Sequence, residues 1–271
     1  TKVAGLIIEG HGPGASIGSI CRIYPQKDHQ YIHAEVVGFK DEKILLMALG
    51  DLRGVRPGST IIVDRDGAGL RVGENLLGRI INGMGEPLDG KGPLNGGVEY
   101  PLYAEPVPPL RRAPISDPIC LGIRAIDALL TCGKGQRMGI FSGSGVGKSV
   151  LMGMIARNTK ADVSVIALIG ERGREVGEFI SESLGEAGLK RSVVVAATSD
   201  QPPPVRIRGA YIAMAVAEYF RDRGKDVILM MDSLSRFAMA QREVGLAVGE
   251  PPTTKGYTPS VFTLIPRLVE R

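Results

Sequence analysis

With 271 residues, 44% of them hydrophobic, the chain can bury one large core, or one large and one small core, as an ordinary globular protein does. Its 33 basic and 29 acidic residues give a net charge of +4, and the first seventy residues hold eight of each sign. This balance gives no basic face that would favour a nucleic-acid partner, and the longest apolar runs, such as residues 163–170, are far shorter than the roughly 18 residues of a membrane span.

Residues 3–63 contain short β-rich runs separated by Gly, Pro, Asp and Lys. The runs are VAGLIIE, SIGSICRIY, YIHAEVVGF, KILLMAL and STIIV. Their spacing predicts a small N-terminal β-barrel over residues 1–70. Such a barrel serves as a docking or assembly module or as a purely structural cap, and the sequence leaves both readings open.

The next segment, residues 71–118, is rich in Gly and Pro, which exclude long regular elements. We interpret it as a connector wrapped on the following domain. From Gly122 onward, apolar strands alternate with segments of helical period. The predicted strands are residues 137–141, 163–170, 192–197 and 226–232. This order predicts an α/β domain over residues 71–271 with a mainly parallel sheet and right-handed crossovers.

Residues 141–150 read FSGSGVGKSV, between the predicted strand RMGIF and the predicted helix KSVLMGMIAR. Strand, glycine-rich loop and helix are the context of a phosphate-binding loop, whose inward-turned N–H groups hold phosphate oxygens at a helix N-terminus. Lys148 is expected to reach the β- and γ-phosphates, and the Ser149 hydroxyl to coordinate Mg²⁺. Ser142 replaces the usual first glycine, which is acceptable only if its φ is negative. The predicted nucleotide-binding residues are Gly143, Ser144, Gly145, Val146, Gly147, Lys148, Ser149 and Val150.

Two strand ends extend this prediction to hydrolysis. The strand VILMMD ends in Asp232, whose carboxylate can hold a water of the Mg²⁺ shell or can simply cap the helix that begins at Ser233. The segment LIGERGREV, residues 168–176, lies at the end of another predicted strand and places Glu171 where it can polarise an attacking water as general base. A surface salt-bridge network among neighbouring charges is the alternative for Glu171, and Arg172 serves either the phosphate or the orientation of Glu171.

The segments GSGVGKSV, LIGERGREV and VILMMDS, together with SRFAMAQREVGLAVGEPPTTKGYTPSVF, resemble the type III protein export ATPases of flagella and injectisomes, over nearly the whole chain. The last segment is the most discriminating. These enzymes are related to the catalytic subunit of F-type ATP synthase and have a small β-barrel, a RecA-like P-loop domain and a helical C-terminal domain. By this resemblance, Lys148, Ser149, Glu171, Arg172 and Asp232 match phosphate, magnesium and water-activating positions.

The resemblance also implies a cytoplasmic homohexamer with ATP between subunits, at the membrane export gate, with export apparatus proteins and substrates or chaperones as partners. The family more often has Ala at the position of Ser142. Its trans-acting arginine, its adenine-contacting segment and its helical domain are expected beyond Arg271. We therefore expect the 271 residues alone to hydrolyse ATP poorly, because an arginine finger contributes several orders of magnitude in rate.

Flagellar export is the favoured reading, and injectisome export is the main alternative. A rotary ATP synthase subunit shares the barrel, the loop and the glutamate but is not expected to carry RFAMAQREVGLAVGEPP. An RNA translocase needs stacking aromatics in a basic groove, whereas the first seventy residues are neutral, with Tyr24, Tyr31 and Phe39 scattered among them. A subunit that holds nucleotide without cleaving it commonly lacks the carboxylate, and Glu171 argues against that class.

Overall fold

A computed structural model gives the fold and describes residues 2–12, 14–25, 31–65, 69–143 and 145–271. The N-terminal part is a six-stranded antiparallel sheet with the order β1-β2-β5-β4-β3-β6. Its strands are β1 (Lys2–Ala4), β2 (Ile7–Gly10), β3 (Ile20–Tyr24), β4 (Ile32–Lys40), β5 (Lys43–Ala48) and β6 (Thr60–Arg65). The predicted run VAGLIIE is therefore two strands, joined by a turn in which Gly5 has a φ of +60°.

Alternating side chains of these strands form the core of the barrel. In β5, Ile44, Leu46 and Ala48 face this core, as the two-residue period of a strand requires, whereas Met47 is buried outside it. They pack with buried residues of the other strands, namely Ile8, Cys21, Ile23, Ala34 and Val36. This small separate core supports the predicted N-terminal barrel.

The segment predicted as a connector contributes more structure than a wrapping loop. It holds β7 (Gly69–Val72), β8 (Ile80–Asn82), β9 (Val98–Pro101), β10 (Pro118–Ile119) and two 3-10 turns, Glu74–Leu76 and Pro109–Arg111. Strand β8 joins the sheet of the second domain, and β7 pairs with β9. Leu76, Ile81 and Leu102 are fully buried, so this segment is part of the core of the second domain.

The second domain is built on a parallel sheet with the order β14-β12-β13-β8. The remaining elements, in chain order, are α1 (Arg124–Leu129), β11 (Cys132–Gly133), α2 (Lys148–Asn158), β12 (Val163–Ile169), α3 (Gly173–Glu178), a π-helical turn (Phe179–Leu184), α4 (Gly185–Lys190), β13 (Ser192–Ala197), α5 (Pro203–Arg221), β14 (Val227–Asp232), α6 (Leu234–Ala247), a 3-10 turn (Thr254–Gly256) and α7 (Pro259–Glu270). The predicted alternation of strands and helices is confirmed for β12, β13 and β14.

Helices cover both faces of this sheet. In β12, Val163, Val165 and Ala167 face the core formed with α5, whereas Ile166 and Leu168 face the core formed with α2 and the π-helical turn. Every residue of β12 is buried, which explains why the sequence shows a continuous apolar run rather than alternation. No helix in the described part of the chain has both the length and the apolar character needed to cross a bilayer.

The predicted strand at residues 137–141 is wrong. This segment has no strand pairing, and Phe141 is 97% exposed, with Met138 and Ile140 also exposed. A strand requires a hydrogen-bonding neighbour, which local apolar pattern cannot reveal, and among the described residues β8 occupies one edge of the parallel sheet and β14 the other. The helix that follows is confirmed as α2.

The barrel and the second domain meet at a buried ion pair. Arg208 of α5, almost fully buried, approaches the Glu35 carboxylate of β4 with its Nη1 atom at 3.3 Å. The hydroxyl of Tyr103 donates a hydrogen bond to the other oxygen of Glu35, at 3.1 Å. Burial raises the pKa of Glu35, and the Arg208 charge opposes that rise. Val205 adds an apolar contact with Ile20 and Leu49 of the barrel side.

Candidate nucleotide-binding site

Two carboxylates lie at one edge of the parallel sheet. Strands β12 and β14 are parallel neighbours, with Leu168 opposite Asp232. Asp232 is the last residue of β14, and Glu171 follows the end of β12 after Gly170. The carboxyl ends of parallel strands are the usual ligand-binding edge of an open α/β sheet. The structure therefore brings together the two acidic residues that the sequence places at strand ends.

The glycine-rich loop and the start of α2 lie beside this edge. Gly145 and Gly147 have φ values of +76° and +94°, and Gly147 directly precedes Lys148, the first residue of α2. A Cβ atom at Gly143, Gly145 or Gly147 would meet nothing within 4 Å, so for the last two residues the need for glycine comes from the backbone conformation.

The remaining loop residues can be placed in part. Of the non-glycine residues that the structure describes, only Asp41, Glu42 and Lys255 have positive φ, so Ser142 meets the condition set for it. Val146, Ser149 and Val150 are exposed, and Ser144 lies outside the described residues. Exposed amides and a hydroxyl at the N-terminus of an 11-residue helix are donors suited to an anion.

Lys148 and Asp232 form an ion pair. The Lys148 Nζ atom lies 2.5 Å from Asp232 Oδ1. Only 4% of the Asp232 side chain is exposed, compared with 32% for Lys148. Asp232 does not cap the following helix, since Ser233 is the N-cap of α6 and its hydroxyl accepts a hydrogen bond from the backbone N–H of Arg236, at 3.3 Å. The alternative role of Asp232 as a helix cap is therefore wrong, and its carboxylate is available for a metal ion.

Glu171 is largely buried and lies beside the guanidinium group of Arg236. Arg236 Nε lies 3.2 Å from Glu171 Oε1, and only 14% of the Glu171 side chain is exposed. Burial raises the pKa of Glu171 to about 7, with further increases from its hydrogen bond with Glu175 and from the charge of Asp232. The charges of Arg236 and Lys148 oppose the shift. A carboxyl that titrates near neutrality is suited to general-base work.

Arg172 points elsewhere. Its Nη1 atom lies 2.9 Å from Glu175 Oε1, and 70% of its side chain is exposed. Its ion pair thus involves Glu175 rather than Glu171, and it reaches Glu171 only through the hydrogen bond between the two glutamates. The surface network considered for this stretch is present, as Arg174 also pairs with Glu178, but it leaves Glu171 to a different partner.

Sequence reasoning assigned no role to Arg236, which the structure places on Glu171. A signal for it was available. Arg236 lies in the first turn of α6, where the positive end of the helix dipole disfavours a cation unless a carboxylate lies close by. Gly170 helps to bring the two together, because it has a φ of +74° and a Cβ there would lie 2.9 Å from Arg236 Cβ.

Comparisons at the family level match two regions of this chain. Residues 122–271 match the nucleotide-binding domain of the ATP synthase alpha/beta family, and residues 1–63 match the beta-barrel domain of the same family. The first region contains β12, β13 and β14 with the site residues, and the second contains β1 to β5 and most of β6.

Individual proteins of known name show similarity over the whole chain. The "Flagellum-specific ATP synthase" of Bacillus subtilis is 56% identical over 271 residues, which cover 100% of this chain and 62% of that protein. The "Type 3 secretion system ATPase" of Xanthomonas euvesicatoria is 50% identical over 270 residues, which cover 100% and 61%. The chain thus spans about three fifths of the length of these curated relatives.

A solved structure has the same fold. The assembled ATPase EscN, in complex with its central stalk EscO, from the enteropathogenic E. coli type III secretion system, superimposes with a TM-score of 0.91 at 46% identity. The match covers 100% of this chain and 66% of that chain.

Proposed function

This chain belongs to the ATP synthase alpha/beta family, and from that premise we propose that the protein hydrolyses ATP to drive type III protein export, most directly of flagellar components. The observation that carries the proposal is the meeting of Lys148, Asp232 and Glu171 at the carboxyl edge of β12 and β14. Those three groups are what phosphate binding, metal binding and water activation need.

The residues fit a magnesium nucleotide. In the described part of the chain no group of three or more His, Cys, Asp or Glu side chains could hold a metal ion by itself. Proteins usually hold Mg²⁺ through one or two side chains together with substrate phosphates, and the buried Asp232 carboxylate and the exposed Ser149 at the start of α2 provide two such side chains. Ser149 and Asp232 would supply the protein oxygens. When bound, Mg²⁺ would offset the negative charge of the nucleotide phosphates.

Each residue then has a defined task. The amides of the loop from Gly143 to Val150 and the Lys148 ammonium hold the phosphates. Glu171, in its ionised form, accepts a proton from the water that attacks the γ-phosphorus, and the bond from that phosphorus to the β,γ-bridging oxygen breaks. We keep Arg172 as a candidate for phosphate contact or for the orientation of Glu171 through Glu175.

The assembly and the cargo are part of the same proposal. The EscN structure is of an assembled ATPase with a stalk, which supports a ring of copies, proposed here as a homohexamer, with export apparatus proteins, export substrates or chaperones as partners. We place the ring in the cytoplasm at the membrane export gate. The higher identity to the flagellar relative, 56% against 50%, favours flagellar components over injectisome effectors.

The test compares cells whose only full-length copy carries Glu171→Gln with wild-type cells, by the protein content of the spent medium. Glu178→Gln is the matched control, because Glu178 lies on the exposed side of α3, where its carboxylate pairs with Arg174. Loss of filament protein with effectors retained is the expected result. Loss of effectors alone would point to an injectisome. Normal secretion of both would overturn the export proposal and make the rotary synthase reading the next to test.

A further inference from the structure

The helix that carries Lys148 and the helix that follows Glu171 meet at a backbone contact. Gly153 is a buried residue of α2, five positions after Lys148. A Cβ atom at Gly153 would lie 2.4 Å from the carbonyl oxygen of Ser183, 2.7 Å from its carbonyl carbon and 2.7 Å from its Cβ atom. The first two are main-chain atoms and the third is attached directly to the main chain, so none of them can rotate away as the end of a side chain can.

The partner in this contact is an irregular turn. Ser183 belongs to the π-helical turn Phe179–Leu184, which continues α3 without a break. A π turn inserts one extra residue into a helix and so changes which carbonyl faces a neighbour, and such turns are frequent near functional sites. Here the carbonyl presented to α2 is the one that leaves no room for a side chain at residue 153.

The contact joins two bodies that each hold a part of the proposed reaction. The first consists of the loop, Lys148 and Ser149 with α2, and it holds the phosphates. The second consists of Glu171 and the helix that runs from Gly173 to the π turn. Other contacts fix the second body in the sheet, since the backbone N–H of Ser199 donates to the Glu171 carbonyl at 2.9 Å.

We propose that Gly153, in contact with the π turn at Ser183, is a positioning residue that sets the separation between the phosphate-holding helix and Glu171. The inference rests on the function proposed above. An added methyl group needs about 1 Å more room at this contact to reach ordinary van der Waals distance. A misplacement of about 1 Å between reacting groups costs on the order of 100-fold in rate.

The two bodies predict a specific kinetic result. Gly153→Ala shifts α2 together with the whole phosphate loop, so the phosphates still find the loop amides, Lys148 and Ser149 in their original arrangement. The distance from the γ-phosphate to Glu171 changes instead. We expect kcat to fall by about 10- to 100-fold, while KM for ATP and the affinity for ADP stay within about twofold of wild type.

The experiment uses the full-length protein with Mg²⁺, and kcat is expressed per ADP-binding site so that unfolded chains do not count. Gly177→Ala is the matched control, because Gly177 is an exposed residue of α3 at which a Cβ would meet nothing within 4 Å. We expect this control to keep wild-type kcat. A wild-type kcat for Gly153→Ala, or equal losses in kcat and ADP affinity, overturns the proposal.

Two further variants complete the design. If Gly153→Ala does not accumulate as folded protein, Ser183→Gly removes the Cβ atom from the same contact and leaves the carbonyl group in place, and we expect kcat to fall about three- to tenfold with KM unchanged. A wild-type kcat there overturns the proposal. Glu171→Gln distinguishes a failure of the proposed function from a failure of the positioning role. If Glu171→Gln keeps wild-type turnover, the proposed function is wrong. If Glu171→Gln loses turnover and Gly153→Ala does not, only the positioning role of Gly153 is wrong.

Discussion

Replacement of Glu171 by Gln is predicted to make the nucleotide-free protein more stable at alkaline pH and no more stable at acid pH. The pKa of Glu171 rises from 4.5 to about 7 in the folded protein, mainly because of burial. That rise corresponds to about 3 kcal/mol against the ionised form. Gln carries no charge, and its amide can donate to Glu175 as the protonated carboxyl does.

The sign follows from proton binding. Between pH 4.5 and pH 7 the folded state binds the Glu171 proton more tightly than the unfolded chain does, so the free energy of unfolding falls as pH rises through this window. Above pH 7 the full cost is present. We expect about 2 kcal/mol of the wild-type loss of stability between pH 5 and pH 8 to be absent in Glu171→Gln.

The assay is urea denaturation of the nucleotide-free protein at pH 5, 6, 7 and 8, followed by far-ultraviolet circular dichroism. Glu178→Gln serves as control, because its carboxylate is about half exposed, and its curve should run parallel to that of wild type. Parallel curves for Glu171→Gln and wild type would refute the argument, since they would mean that the Glu171 carboxylate is not desolvated in the folded protein.

Three other measurements test the site and the fold. The kcat/KM for ATP should rise about tenfold per pH unit below pH 7 and level off above it, because Glu171 must be ionised to act as base; a flat profile from pH 5.5 to 8 would contradict this. Lys148→Ala should lower the unfolding free energy of the nucleotide-free protein by about 1–3 kcal/mol, because Asp232 loses its counter-ion while buried, and adding Asp232→Ala should restore part of the loss; thermal denaturation decides this. Glu218→Ala should cost about 3–5 kcal/mol in the same assay, because it leaves Arg271 buried and unpaired, and an unchanged melting temperature would contradict it.

The elements that could be predicted are those whose own residues show a clear apolar pattern. The strands β12 and β13 are buried on both faces and appear, like the partly buried β14, as short apolar runs. Helix α5 appears as a long segment that is apolar on most sides. The prediction was wrong at residues 137–141, where the same apolar pattern has no strand partner. It also missed β8 inside a Gly- and Pro-rich segment, because three residues suffice for a sheet edge when a neighbouring strand supplies the hydrogen bonds.

The site was predictable in its members but not in its pairings. Lys148 can be identified from the phosphate-binding loop, and Asp232 and Glu171 from their positions at strand ends. The residue that each of them contacts depends on how separate helices and strands pack together, which sequence spacing does not give. Arg172 adjoins Glu171 in the chain yet pairs with Glu175, because consecutive residues at a helix start point in different directions. Arg236, which does pair with Glu171, lies on α6, the helix that follows β14.

The ion pair between Lys148 and Asp232 implies that the site discriminates between free nucleotide and magnesium nucleotide. Phosphates draw the Lys148 ammonium away from Asp232, and a carboxylate with 4% exposure would then remain buried without a counter-ion. A divalent cation that binds with the phosphates replaces the lost charge at Asp232. The protein should therefore bind ADP more tightly with Mg²⁺ than without it.

Calorimetric titration with ADP in Mg²⁺ and in EDTA measures this difference in affinity for wild type and for Asp232→Asn. We expect the gain from Mg²⁺ to shrink by at least tenfold in the Asn variant, whose neutral side chain needs no counter-ion. An equal gain in both proteins would show that Asp232 has no part in holding the metal.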